Sequence, residues 1–495
     1  MASHHALAVP EILTEIFNFT VEKTDPAELY RWHLPRTPHL EDPPWPFLFV
    51  SKFWRAVALT TPSLWSTFIA VIDQNPKYED IAHLPYMLES HLRLSMNEPL
   101  TLVISWTSSS KPHSLDTGIH ADPVLALSLL VQKALEKRDR WRDVEIFVHV
   151  LSSKGTASPV PINFIFKLAD MKALQRFKFR GHAFAGKRLV ELSPSPLLES
   201  LSIGGSADFI LRKVDALSAK DYFPRLRTAS LSPTCRQPYR KTWDLLRVMP
   251  HVEWLDLKFE CTGAVAFTRP RTIIELPNVR NLTISAESYV AGSTLRRLSL
   301  PALVRLDLHI VELDEESLDV YADALILHPM TSLSLSITSF DDSIEDILFE
   351  DFLESMRRVR HLEVHGPCGG SGRREHAAFV RHLASALQSG TGAGLLPNLA
   401  SLELRMSHLE FFLDKGHIVT TAFLKGLILV CQRKYPLEFR FSVSYTNSPH
   451  ISIMEAMRQI DETIHNDSEI QECIVDGFSV TLNGVRVVRK NETTC

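Results

Sequence analysis

The sequence predicts an α/β chain: a short helical unit at the N-terminus, then a long array of repeats that each give one strand to a parallel sheet. Three observations carry this. At 495 residues the chain is too long for one ordinary compact domain, so it holds either several domains or an array that grows by stacking. Hydrophobic residues make up 45% and charged residues 22%, a balance suited to a large buried core and foreign to a disordered polymer. A template L-x-x-L-x-L, with aliphatic substitutions, returns along most of the chain at a nearly constant interval, the mark of a stacked repeat.

Lys plus Arg (53) against Asp plus Glu (58) leaves a net charge of -5. That supplies no global basic field and argues against nucleic acid as the main partner. The six cysteines, Cys235, Cys261, Cys368, Cys431, Cys473 and Cys495, show neither a CxxC nor clustered metal-ligand spacing and are expected to be reduced, packed thiols. The N-terminus has no basic segment followed by an apolar one, and no apolar run approaches the ~18 residues of a membrane span. Cys495 as last residue fails the prenylation pattern, and Ala2 excludes myristoylation. The expected location is cytoplasmic and/or nuclear, with no membrane partner.

The first element runs through Val9-Pro10-Glu11-Ile12-Leu13-Thr14-Glu15-Ile16-Phe17. Proline suits the first helical turn, acids suit its positive end, and Ile12, Leu13, Ile16 and Phe17 form one apolar stripe. A second stripe of Val50, Phe53, Trp54, Val57 and Ala58 stops at Thr61-Pro62, and Leu64-Trp65 follows the turn. Short helices totalling about 40 ordered residues bury little area alone, so such a unit is expected to dock on another surface, with Trp54 and Trp65 as anchors. A plain helical cap on the following domain is the competing reading. Between the two stripes, residues 18–49 carry Pro26, Pro35, Pro38, Pro43, Pro44 and Pro46 and read as an irregular loop.

The order Val9-Pro10-Glu11-Ile12-Leu13, Ile16-Phe17, Val50-Ser51-Lys52-Phe53-Trp54-Arg55 and Leu64-Trp65 resembles the F-box of the F-box-like proteins of mushroom-forming fungi. Val9 stands where that family usually has Leu, and the gap between Phe17 and Val50 is longer than its usual one. More weakly, Leu84 to Ser90, Pro99 to Ile104 and Arg140 to Ile146 are similar to the stretches that follow the box in those proteins, each pairing a helix with an alternating strand. The resemblance implies that Pro10, Ile12, Leu13, Ile16, Phe17, Val50, Trp54, Arg55, Leu64 and Trp65 bind a Skp-type adaptor.

The repeat template is met by Leu198-Leu201-Ile203, Val252-Leu255-Leu257, Val279-Leu282-Ile284, Leu303-Leu306-Leu308, Met330-Leu333-Leu335, Val359-Leu362-Val364 and Leu399-Leu402-Leu404. Leu174-Phe177-Phe179 and Leu226-Ala229-Leu231 fit less well, and the mean period is about 28 residues. Each copy predicts a short parallel strand with its second and third template residues inward and the residues between them outward. Segments 318–327 and 344–356 have helical spacing and are expected to be returns. The pattern resembles an irregular leucine-rich-repeat solenoid, without the usual Asn or Cys three residues past the strand.

This divides the chain into residues 1–70 (the F-box-like helical unit), 71–170 (a linking helix and strand region), 171–410 (the repeats) and 411–495 (a helix and strand cap). Between the last two copies lie a Gly-rich loop at 366–374 and a helix at 375–388. The cap is read as helices near 418–434 and 451–465, a strand at 437–445, and a hairpin turning at Asn483-Gly484.

No phosphate loop, dinucleotide fingerprint, HExxH or GxSxG occurs, so neither catalysis nor a cofactor is expected. His361 and His365 share a strand face but have no third ligand spaced to join them in a metal site. Residues 306–356 hold 14 acids and no Lys or Arg, whereas 207–247 hold nine basic residues and four acids. Solvated helical faces account for such runs, and a bipolar surface that steers a charged partner is the sharper alternative.

What the resemblance implies is a non-catalytic, substrate-recognition subunit of a cullin-RING (SCF-type) ubiquitin ligase. Its box would bind the Skp-type adaptor, and the concave face of its repeats an unidentified protein substrate. The outward repeat positions Asp256, Lys258, Thr283, Ser285, Asp307, His309, Ser334, Ser336, Glu363, His365, Glu403 and Arg405 are the candidate contacts. An interaction scaffold that does not promote ubiquitin transfer is the alternative.

Overall fold

A computed structural model of the chain describes residues 9–22, 43–72, 81–108, 123–150, 164–182, 188–205, 207–212, 219–232, 239–259, 272–340, 344–365, 382–383, 396–406, 438–443, 462, 468, 479–482 and 485–486. The chain divides into two compact units, Met1–His251 and Val252–Cys495. Both are α/β, with parallel strands and intervening helices. Among the described residues no helix is long and apolar enough to cross a membrane.

The first unit opens with α1 (Pro10–Glu22), α2 (Phe47–Val50) and α3 (Lys52–Leu59), then a 3-10 turn at Pro62–Trp65. The chain continues through β1 (Thr67–Ile72), α4 (Leu84–Leu94), β2 (Leu100–Ser108), α5 (Pro123–Leu135), β3 (Trp141–Val150), β4 (Phe164–Lys167) and β5 (Arg176–His182). It ends with β6 (Arg188–Leu192), β7 (Ser200–Gly205), β8 (Asp208–Leu211), α6 (Ala219–Tyr222), β9 (Thr228–Leu231) and α7 (Tyr239–Arg247). Strands β1, β2, β3, β5, β7 and β9 pair in that order, all parallel. A second parallel sheet is formed by β4, β6 and β8.

The helix and strand region expected over 71–170 contributes β2 and β3 to this ladder. The parallel ladder is already running at Thr67, where Phe68 is in register with Leu102, Leu102 with Val144 and Val144 with Phe177. These rungs lie further apart in sequence than the period of about 28 residues, which is why a search for that period starts too late. Arg140 holds the turn that leads from α4 into β2. Its guanidinium donates to the carbonyls of Leu92 and Ser95 at the end of α4, and of Glu98 in the turn beyond, at 2.8–3.3 Å.

The second unit carries β10 (Trp254–Lys258), β11 (Ile274–Glu275), β12 (Asn281–Ala286), α8 (Ser288–Leu295), β13 (Leu298–Ser299), β14 (Arg305–Leu313), α9 (Glu315–Ile326), β15 (Ser332–Phe340) and α10 (Asp346–Ser355). It closes with β16 (His361–His365), β17 (Ser401–Met406), β18 (Glu438–Val443), β19 (Ser479–Leu482) and β20 (Val485–Arg486). From β10 to β19 the strands pair parallel in sequence order, leaving aside β11 and β13, which pair only with each other. The template leucines are the rungs: Leu255, Leu282, Leu306, Leu333, Leu362 and Leu402 are mutually in register, and all are buried. Two buried aliphatic side chains per strand, each stabilising by about 1.5–3 kcal/mol, hold one repeat to the next.

The expected returns form as α9 and α10. Asp314 caps α9 by accepting from the Ser317 amide at 2.8 Å. In the segment expected as a helix and strand cap, β18 and β19 extend the parallel ladder. Strands β19 and β20, either side of Asn483-Gly484, pair antiparallel as the hairpin signal predicts. The expected Gly-rich loop, the helix at 375–388 apart from His382 and Leu383, the helices near 418–434 and 451–465 apart from Glu462, and all six cysteines lie outside the described residues.

Candidate functional site

The expected site residues fall on two surfaces: the outside of the N-terminal helices, and the outward face of the strands. The helical unit is built around Leu13, Phe17, Val57, Ala58, Leu64 and Trp65, all buried, with Trp45, Phe47, Leu48 and Trp54 packed against them. Phe47 stacks on Phe17 at 4.1 Å, and Trp45 meets Trp65 edge-on at 5.2 Å. Ser51 ends α2 and starts α3, because its backbone is extended and its side chain accepts from the Trp54 amide at 3.1 Å. The expected continuous stripe from Val50 to Ala58 is thereby split, with Val50 at the end of one helix and Trp54 in the next.

Four of the ten expected adaptor contacts, Leu13, Phe17, Leu64 and Trp65, are core residues with no exposed side chain. Trp65 in particular is no surface anchor, since its indole is spent inside the unit. The single stripe of α1 is two: Leu13 and Phe17 face inward, whereas Ile12 and Ile16 remain 41% and 38% exposed. Pro10, Val50 and Arg55 are exposed and Trp54 is half-buried. Arg55 donates to the Leu48 carbonyl at 2.8 Å, which ties α3 to α2. Phe19, Phe49 and Phe53 are exposed as well and were not among the expected contacts. The signal for Phe19 was the spacing Ile12, Ile16, Phe19, which follows one helical face.

On the second unit the twelve expected client contacts fall into two rows across the strands. Asp256, Thr283, Asp307, Ser334, Glu363 and Glu403 are in register, and so are Lys258, Ser285, His309, Ser336, His365 and Arg405. The first row is acidic, the second basic and histidine-bearing. Charges of the two rows meet where Lys258 pairs with Asp256 at 3.1 Å and Arg405 with Glu403 at 2.7 Å, and Arg305, outside both rows, pairs with Asp307 at 2.9 Å. Glu363 is the hub, reached by Arg405 at 2.8 Å, His365 at 2.9 Å and Arg305 at 3.9 Å. The His365 hydrogen bond and the two guanidinium charges hold its carboxyl below the ordinary range, against the opposing effect of burial. Partial burial lowers the pKa of His309. Ser334 is buried and offers a partner little.

Several acids of the 306–356 run are also used internally, Asp307 by Arg305, Asp314 as a helix cap and Asp323 by Arg296 at 2.9 Å. His361 is bonded to Ser401 at 2.8 Å and His365 to Glu363. Among the described residues no group of three His, Cys, Asp or Glu side chains is placed to hold a metal ion. The chain is α/β, with exposed apolar side chains on its N-terminal helices and polar ones along its strands. No family model matches the chain, and no curated protein matches it.

Proposed function

We propose that this chain is a substrate-recognition subunit of a cullin-RING ubiquitin ligase. In this reading the N-terminal helices are an F-box-like unit that docks on a Skp-type adaptor, and the parallel-stranded array is an irregular leucine-rich-repeat solenoid that holds a protein client. The chain makes and breaks no bond itself; it contributes proximity between client and ligase. One observation carries the reading: Ile12 and Ile16 stay exposed on a helix whose other apolar residues, Leu13 and Phe17, already fill the core beneath. Exposed aliphatic and aromatic side chains on so small a unit mark a protein-binding surface.

The test is co-purification of the full chain with a fungal Skp-type adaptor and cullin. Ile16→Asp is expected to abolish capture while leaving the thermal melt unchanged, and Leu13→Asp to abolish capture by unfolding the helices. Failure of the folded wild-type chain to bind the adaptor overturns the reading. Capture of the adaptor with no ubiquitinated client under proteasome inhibition would leave a scaffold in its place.

A further inference from the structure

On the outward face of the first unit two rungs of the sheet follow one pattern. Asp143, Arg176, Ser200 and Thr228 are in register, and so are Glu145, Lys178, Ser202 and Ser230. Each rung crosses from an acid on β3 to a base on β5 and then to short hydroxyl side chains on β7 and β9. The acids answer the bases from one flank. Asp143 pairs with Arg176 at 2.7 Å and with Arg142 at 3.0 Å, and Glu145 pairs with Lys178. On the other flank a serine stands beside each base.

Charge and relief both suit this strip to an acidic partner. The outward strand positions of this ladder carry Arg176, Lys178 and, on the next rung beside Phe147, Arg180, against Asp143 and Glu145. Arg142 adds a fourth base, on Asp143, so four bases less two acids leave two positive charges over. Glu199 and Arg227, just before β7 and β9, are exposed and of opposite sign, and leave that balance as it is. The acids are also tucked beneath the bases. The side chains of Asp143 and Glu145 are 10% and 16% exposed, those of Arg176 and Lys178 64% and 43%. A partner approaching this face meets the cations.

Serine and threonine are several bonds shorter than arginine and lysine, so β7 and β9 form a shelf beside the raised edge of β5. Ser200, Ser202, Thr228 and Ser230 all keep some exposure, and a shelf two strands wide has room for one extended chain. An extended chain repeats its same-side residues every ~6.6 Å, the spacing that also carries Arg176 to Lys178 along β5.

We propose that an extended acidic segment of a protein partner lies along this shelf, over Ser200, Ser202, Thr228 and Ser230, and presents carboxylates at alternate positions to Arg176 and Lys178. Each base then has an acid on both flanks. The inference rests on the proposed reading of the outward strand face as the client-binding face, and is independent of adaptor docking.

The full chain is used to select from a display library of random peptides, and enriched peptides are remade with one acid moved by a single position, which turns it to the other side of an extended chain. Enrichment of peptides with Asp or Glu at positions i and i+2 supports the proposal. Their affinity is expected to fall about three-fold or more when one acid is moved, and to fall as salt rises from about 0.1 M to about 1 M. The double variant Arg176→Gln, Lys178→Gln is expected to weaken binding about five-fold or more. Ser202→Tyr, which fills the shelf without altering charge, is expected to block binding with an unchanged thermal melt. If the double variant does not fold, Ser202→Tyr carries the test. Lys258→Gln, on the second unit, is expected to leave affinity within about two-fold.

Enrichment of no acidic peptide overturns the proposal, as does indifference to the spacing of the acids, to Ser202→Tyr or to the folded double variant. A loss in Lys258→Gln equal to that of the double variant overturns it too, by placing the peptide on the second unit. A gain of about ten-fold on replacing an acid with phosphoserine marks a phosphate site instead and has the same consequence. Adaptor capture by the Ser202→Tyr protein reports separately on the proposed function.

Discussion

The indole N–H of Trp65 donates a 2.8 Å hydrogen bond to the carbonyl of Ala58, seven residues earlier. Trp141 repeats the arrangement on Ala134 at 3.1 Å. In both places a helix ends, a 3-10 turn follows, and a fully buried tryptophan leads into a parallel strand while bonding the last turn of the helix behind it. Replacing either with phenylalanine keeps much of the packing and removes the donor. Trp65→Phe and Trp141→Phe are each expected to destabilise by about 1–3 kcal/mol, read as a lowered urea midpoint with an unchanged slope.

His91 lies among Trp45, Trp65 and Phe68, with Nδ1 3.2 Å from the Trp65 carbonyl. Burial pulls its pKa from 6.5 down to about 4, against backbone hydrogen bonds to Trp65 and Thr67 that act upward. Above pH 6.5 neither folded nor unfolded His91 is charged, so its contribution to stability is complete. Between 6.5 and about 4 the unfolded chain binds a proton that the folded chain refuses, and stability falls as pH falls, by up to about 1.4 kcal/mol per pH unit and ~3 kcal/mol in all. Urea unfolding across that window is expected to show this slope. It should be shallower in His91→Leu, though not flat, because burial lowers His328 too.

Glu363 gathers His365, Arg405 and Arg305 on the second unit. Since its carboxyl is held below the ordinary range, the cluster stabilises above the unfolded-state pKa of about 4.3 and loses that contribution as pH falls through the depressed folded-state value. The partners are half-exposed, so the worth is modest. Glu363→Gln is expected to cost about 1 kcal/mol at neutral pH, and less at high salt or below about pH 4, measured as paired thermal melts.

Gly292 sits in α8 where the next helix crosses it: a Cβ there would lie 2.8 Å from Val320 Cγ1. Alanine ordinarily favours a helix, so Gly292→Ala should stabilise on propensity alone. The crowding reverses the sign, and a loss of about 1–3 kcal/mol is expected. Val320→Ala in the same chain makes room, so the double variant is expected to melt above the sum of the two singles.

Much of the architecture was legible in the chain because it rests on local periodicity. Alternation along a strand decides that Leu306 and Leu308 point inward and Asp307 outward, whichever strand lies beside them. The same logic located α1, α3, α9, α10 and the hairpin at Asn483-Gly484. It could not separate Ile12 and Ile16 from Leu13 and Phe17, since all four are apolar and share one stretch of helix. The choice between core and surface was made by Trp45 and Phe47, returned from the far side of a long proline-bearing segment to cover one side of that helix. Nor could charge patterns along the chain reveal that Glu363 is answered by Arg305 and Arg405 while Arg180 is answered by nothing described. Those relationships depend on strand register, which is set by leucines packing between repeats and brings together residues that no sequence interval connects.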